Sequence, residues 1–287
     1  MPFAFDMAGN TGARLILFHV LSSVAAITAD ANGMPYYDTS AAIEIAEHTL
    51  QPWCEAAARR GIRCDAMVRE GQPARQIAAA ARQFQLDRVL LGTRSRSKLS
   101  KLLLGSVAEQ VLRSVNLPVI TVGPEAHLPV DMKDGQIVLH ATTLRETSRP
   151  SAALACKIAA SQHVQLVLLH VLPPIDEMER RHMATGIDSI AMQELRALAA
   201  SVGASCASSI EPAVVHGNPS IEILATASER HASLIVLGAT NRSAFENLTR
   251  DRTVYRVLAH ARCPVLTLRE TQPESEESAV AAAVLHR

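Results

Sequence analysis

One short word recurs in this chain at a fixed interval, and that recurrence constrains the fold more than any other feature. Val89-Leu90-Leu91-Gly92-Thr93 returns as Ile235-Val236-Leu237-Gly238-Ala239, residue 89 against residue 235, an offset of 146. VREGQP (68–73) against VVHGNP (214–219), and LPVITV (117–122) against CPVLTL (263–268), keep that offset. ARLILFHVL (13–21) matches VQLVLLHVL (164–172) at 151, so the later copy has five fewer residues between its second and third strands. Matches held in register over this length mean two copies of one structural unit.

The repeated words are short, apolar and β-branched, and helix-like stretches separate them. That alternation predicts parallel strands joined by covering helices, an α/β fold. In the second copy the spacing predicts strands at 136–142, 164–171, 211–217, 232–239 and 263–269. Helices are predicted over 150–162, 188–202 and 253–260, with another beginning at Asn218-Pro219, a cap followed by a first-turn proline. In the first copy it predicts helices over 39–60 and 74–85, a strand at 62–70, a strand ending at Gly92, a helix opening at Gly105-Ser106 and a strand at 119–122. The interior must be aliphatic, since 48% of residues are hydrophobic but only 3% aromatic. Parallel sheets covered on both faces have such interiors.

The stretch with most chemical content is 87–122, DRVLLGTRSRSKLSKLLLGSVAEQVLRSVNLPVITV. A strand stops at Gly92, and a loop carrying Arg94, Arg96, Lys98 and Lys101 follows. A helix then opens at Gly105-Ser106. Free N–H groups at a helix start, with the positive end of its dipole, suit a phosphate. A plain N-cap and a solvated cationic loop are the competing reading of the same residues.

Counted from Gly92, the loop reads G-x2-S-x9-G-S. This closely resembles the ATP loop of universal stress proteins, G-x2-G-x9-G-[ST], and the flanking words resemble that family too. Ser95 stands where the family has its second glycine. The resemblance implies two doubly wound five-stranded parallel-sheet repeats, with strand order 3-2-1-4-5. It also implies ATP, with or without magnesium, held by Gly92, Thr93, Ser95, Gly105, Ser106 and Val107. In that reading Gly92 admits the ribose and phosphates, and Ser106 with the Ser106 and Val107 amides takes the terminal phosphates.

Aligned at 146, the second copy has Gly238, Asn241 and Asp251-Arg252 where the first has Gly92, Ser95 and Gly105-Ser106. Asp251 puts negative charge where a phosphate would sit. The first strand of this copy ends at Thr142, where the family carries an aspartate. The second copy therefore reads as a scaffold, or a site for another ligand. The first copy begins late: its first strand, and the acidic residue after it, would fall before Met1. PFAFDMAGN then corresponds to the end of the first helix, and the first repeat is expected to lack its N-terminal, central strand, through a truncated start or an unusual architecture.

The expected division is 1–123 for the first repeat, a linker over 124–135, 136–270 for the second repeat, and an acidic tail over 271–287. The fifth strands, LPVITV and CPVLTL, are expected to face each other between the repeats, because an unpaired apolar edge is an aggregation liability.

Lys+Arg and Asp+Glu balance at 28 each, which favours neither nucleic acid nor an anionic membrane. No apolar run reaches the roughly 20 residues of a membrane span. Five scattered cysteines without C-x-x-C read as buried reduced thiols of a cytoplasmic protein. His19 and His170 occupy equivalent strand words and read as strand-end residues rather than metal ligands. No G-K-[ST], G-x-S-x-G elbow or catalytic Cys/His signature occurs, and Asp176-Glu177 read as a surface loop. The function expected is a stress-response protein with ATP in its first repeat and a regulatory rather than catalytic output, with slow hydrolysis left open. Its partners would be adenine nucleotide and a second copy or a regulatory protein. Two alternatives stand beside it: a nucleotide-free interaction module, and an ATP-splitting enzyme of a related α/β fold.

Overall fold

The computed structural model describes residues 1–21, 27–29, 35–37, 39–93, 104–126, 136–174, 184–204, 208–240 and 252–270. The chain divides into two compact units. Residues 1–87 with 106–115 form the first, and residues 88–105 with 116–287 form the second.

The first unit opens on α1 (Pro2–Thr11), which Gly12 ends in a left-handed conformation at φ 64. Glycine adopts that conformation without the Cβ penalty of other residues. α2 (Thr39–Ala58) and α3 (Pro73–Gln83) flank a two-stranded parallel sheet, β1 (Leu15–Leu21) against β4 (Cys64–Glu70). A small antiparallel pair, β2 (Ile27–Ala29) with β3 (Pro35–Tyr37), lies between β1 and α2 in the chain. Nothing in the sequence reading anticipated that pair. α4 (Ser106–Ser114) completes the unit and buries Ala108, Val111 and Leu112. Phe5 and Ala8 of α1 pack with Ala57 and Ile62, and Leu15 and Cys64 close over that cluster.

The second unit is built on a seven-stranded sheet. Its strands are β5 (Val89–Gly92), β6 (Val119–Val122), β7 (Ile137–Ala141), β8 (Gln165–Leu172), β9 (Ile210–His216), β10 (Ala232–Thr240) and β11 (Val265–Glu270). The spatial order is β5-β6-β11-β10-β7-β8-β9. Within the second repeat this gives 3-2-1-4-5, as the resemblance implies. Its helices are α5 (Arg149–Gln162), α6 (Ala184–Gly203), α7 (Pro219–Glu229) and α8 (Arg252–His260). Asn218 caps α7, its side-chain oxygen accepting from Ser220 N–H at 3.1 Å. Such a cap contributes about 1 kcal/mol. The core lies on β7, β8 and β10, where Val138, Leu139, Leu166–Leu169 and Leu234–Val236 are all fully buried.

The two repeats keep the same ladder register. Leu15 pairs with Cys64, and Leu166 with Ile210. Val89 pairs with Val119, and Ile235 with Val265. These are equivalent pairs under the two sequence offsets. The junction is antiparallel: Thr121 faces Val265, Ile120 faces Leu266, and Val119 faces Thr267. The expected meeting of the fifth strands is therefore a continuous ladder inside one sheet rather than two separate edges.

The first repeat departs from a five-stranded sheet. Among the described residues β1 pairs only with β4, and β5 only with β6. Nothing there corresponds to β7, which in the second repeat pairs with both β8 and β10. Burial follows pairing: Leu166, Val167, Leu168 and Leu169 are fully buried, while their equivalents Leu15, Ile16, Leu17 and Phe18 are half-buried.

The thiols correct a second expectation. Cys54, Cys64 and Cys263 are free, but Cys156 is disulfide-bonded. The reading of reduced thiols therefore fails at Cys156, which no C-x-x-C or other local spacing marks as bonded.

Candidate functional site

In the second unit, β5 runs beside β6 and carries the chain to Gly92 and Thr93. Thr93 is buried, and its N–H and hydroxyl both donate to Val122 O, at 3.0 and 3.3 Å. Its side chain thus fastens the end of β5 to β6. Gly105 is half-buried, and among the described residues a Cβ placed on it would find only Thr93 O, at an ordinary 3.7 Å. A Cβ on Gly92 would meet nothing within 4 Å among the described residues. Neither glycine has positive φ.

The repeat's own structural glycine shows the contrast. Gly71 and Gly217, equivalent at an offset of 146, have φ of 125 and 151. A Cβ on Gly217 would collide with the Glu222 side chain. The fold itself requires glycine at 71 and 217, whereas at Gly92 and Gly105 neither the backbone conformation nor the described neighbours do.

In the first unit, Ser106 and Val107 begin α4, and both are exposed. The N–H groups of a first helical turn have no intrahelical acceptor. Glu109, the acidic residue of that turn, is paired with Arg113 at 2.5 Å. Ser95, Arg94, Arg96, Lys98 and Lys101 lie outside the described residues, as do Asn241, Asp251, Asp176 and Glu177.

Sequence reasoning missed one contributor, Tyr255 on α8. Its hydroxyl accepts from Leu104 N–H at 3.4 Å, just before Gly105. On the same helix, Leu258 O lies 3.5 Å from where a Cβ on Gly123 would stand. The second repeat thus supports both ends of the segment running from Leu104 to Gly123. A tyrosine within an apolar helical pattern carries no sequence signal for such a contact.

In the second repeat, His170 Nδ1–H donates to Thr142 O at 2.9 Å. His216 Nε2 lies 2.7 Å from Asp188 Oδ1. His140 is fully buried on β7, its Nδ1–H donating to Val236 O at 3.1 Å. Burial holds its pKa down at about 4, so the ring is neutral. Among the described residues no three His, Cys, Asp or Glu side chains are grouped to hold a metal ion. No described helix is long and apolar enough to cross a membrane.

A profile of the universal stress protein family matches residues 2–123 and again 136–269. The chain belongs to the universal stress protein family. A universal stress protein from Thermus aquaticus is 31% identical over 112 residues, 39% of this chain and 78% of that protein. The universal stress protein YxiE of Bacillus subtilis is 26% identical over 126 residues, 42% of this chain and 85% of that one. One from Methanocaldococcus jannaschii is 32% identical over 79 residues, so this chain spans only 46% of that relative. Among solved structures, a universal stress protein from Archaeoglobus fulgidus shares the fold, with a TM-score of 0.69 at 20% identity over 93% of each chain. This universal stress protein is a tandem one, its two family matches following one another along a single chain.

Proposed function

We propose that this universal stress protein binds one adenine nucleotide, ATP, along the segment Gly92–Val107 of its first repeat. The observation that carries the reading is Gly105. It has no positive φ, no described neighbour lies closer than 3.7 Å to where its Cβ would stand, and its counterpart in the second repeat is Asp251. A glycine that the fold does not need is accounted for by a ligand that needs the backbone bare.

In this reading Gly92 and Gly105 leave the main chain open to ribose and phosphates. The Ser106 hydroxyl and the Ser106 and Val107 amides donate to phosphate oxygens at the start of α4, where the dipole favours negative charge. Thr93 positions the loop from β6 instead of touching ligand. Ser95 stands in the family's second glycine position. Magnesium would enter bound to the nucleotide's own phosphates. The functional modules are taken as 1–123 and 136–270, with the second a scaffold for the first. The output is regulatory rather than catalytic, read out by contact with a second copy or a protein partner.

A nucleotide-free interaction module is the second reading, favoured by β1, which among the described residues pairs only with β4. Nucleotide extracted from the purified chain by acid and resolved by chromatography decides between them. The proposal expects adenine nucleotide from the wild-type chain and none from Gly105→Asp. A nucleotide-free wild-type chain that also fails to take up added ATP would support the module.

A further inference from the structure

We propose that Cys54 and Cys64 form a reversible dithiol–disulfide site in the first unit, one that reacts with small-molecule disulfides. Their sulfurs lie 3.2 Å apart, Cys54 on α2 and Cys64 on the first residue of β4. Both thiols are free and only half-buried, so a small reagent can reach them. The third free thiol described, Cys263, is buried. The pair owes its proximity to the fold: the end of α2 turns through Gly61, and Ile62 N–H returns to Ala57 O at 3.0 Å. Cys64 is then fixed by its ladder pairing with Leu15 and by packing over Phe5 and Ile62. Those contacts hold the two sulfurs facing each other.

The order of attack follows from their surroundings. Burial, then the Cys54 neighbour, pushes the Cys64 thiol up to about 12, so Cys64 keeps its proton and does not attack first. The Cys54 thiolate attacks one sulfur of a small disulfide such as oxidised glutathione and expels one glutathione thiolate. The Cys64 sulfur, its proton passing to that thiolate, then attacks Cys54 in the mixed disulfide and expels the second glutathione. Two protein thiols lose two electrons and two protons, and two glutathione thiols carry them away. The product ties the last turns of α2 to the start of β4.

The test exposes the full chain to graded ratios of oxidised to reduced glutathione, quenches it by alkylation and digests it with trypsin. Arg59, Arg60 and Arg63 separate the two cysteines, so only a disulfide joins their peptides. The proposal expects the joined peptides to accumulate with the ratio and to vanish on return to reduced glutathione. Cys263 should stay unmodified throughout. In Cys64→Ser, glutathione should remain on Cys54 instead. Persistent glutathione on either cysteine of the wild-type chain with no joined peptide, or two cysteines fully alkylated at every ratio, would overturn it. Mass spectrometry of the wild-type chain decides the matter whether or not the variant folds.

Discussion

Ile120 and Leu266 stand directly opposite each other across the antiparallel junction, and they are the same residue of the two repeats. The contacts around them obey the same symmetry. Thr121 hydroxyl donates to Val265 O at 3.2 Å, and Thr267 hydroxyl donates to Val119 O at 3.3 Å. The repeats are thus joined by a local two-fold relation in which each fifth strand covers the other's edge. Directly opposed residues share a face of the sheet, so their side chains should couple. We expect Leu266→Ala to cost about 2–5 kcal/mol in urea unfolding, as for other buried leucines. Ile120→Ala should act similarly, and the double variant should depart from additivity by about 0.5 kcal/mol or more. Strict additivity would show that the two side chains do not communicate.

Hydrogen exchange should separate the two repeats. Leu15 N–H donates to Arg63 O, so on β1 the amides of Ile16 and Phe18 point to the strand's other edge. Their equivalents on β8, Val167 and Leu169, face β7 and are fully buried. We expect Ile16 and Phe18 to exchange far faster than Val167 and Leu169 under native conditions. Equal protection would mean that β1 has a second ladder partner.

His140 makes stability depend on pH. Its folded pKa of about 4 lies below its ordinary 6.5, so the unfolded chain binds the proton more readily. The stabilisation is therefore complete above pH 6.5 and is lost as pH falls toward 4, amounting to about 3 kcal/mol across that window. Denaturant titrations at pH 7 and pH 4.5 should show a smaller drop for His140→Gln than for the native chain. An equal drop would assign the acid sensitivity to other groups.

Tyr255 should matter to the first repeat although it belongs to the second. Removing its hydroxyl in Tyr255→Phe leaves Leu104 N–H without that acceptor. We expect ATP affinity to fall by roughly two- to tenfold, matching about 0.5–1.5 kcal/mol for one hydrogen bond. Unchanged affinity would show that the contact does not order the loop.

Much of this architecture was legible in the sequence because repeats report on each other. The strand words and the Asn218 cap came from local pattern and spacing, and the order 3-2-1-4-5 from the family resemblance those words carry. The meeting of β6 with β11 followed from the need to cover an apolar edge. The β2–β3 pair was not legible, since three-residue strands are too short for periodicity to register. The Cys156 bond left no local spacing signal, and the Tyr255 contact depends on residues brought together only by the tertiary fold. Gly105 was visible as a motif position, but only the structure distinguishes it from Gly71 and Gly217, which the backbone itself requires.

The central claim is one nucleotide per chain, held through the first repeat's loop. Isothermal titration of ATP with magnesium into the full-length chain tests it most directly, beside Gly105→Asp and Asp251→Ala. The account predicts a single site, weakened at least tenfold by Gly105→Asp, about 1.4 kcal/mol or more, and unaffected by Asp251→Ala. Two equivalent sites, or binding that Gly105→Asp leaves intact, would contradict it.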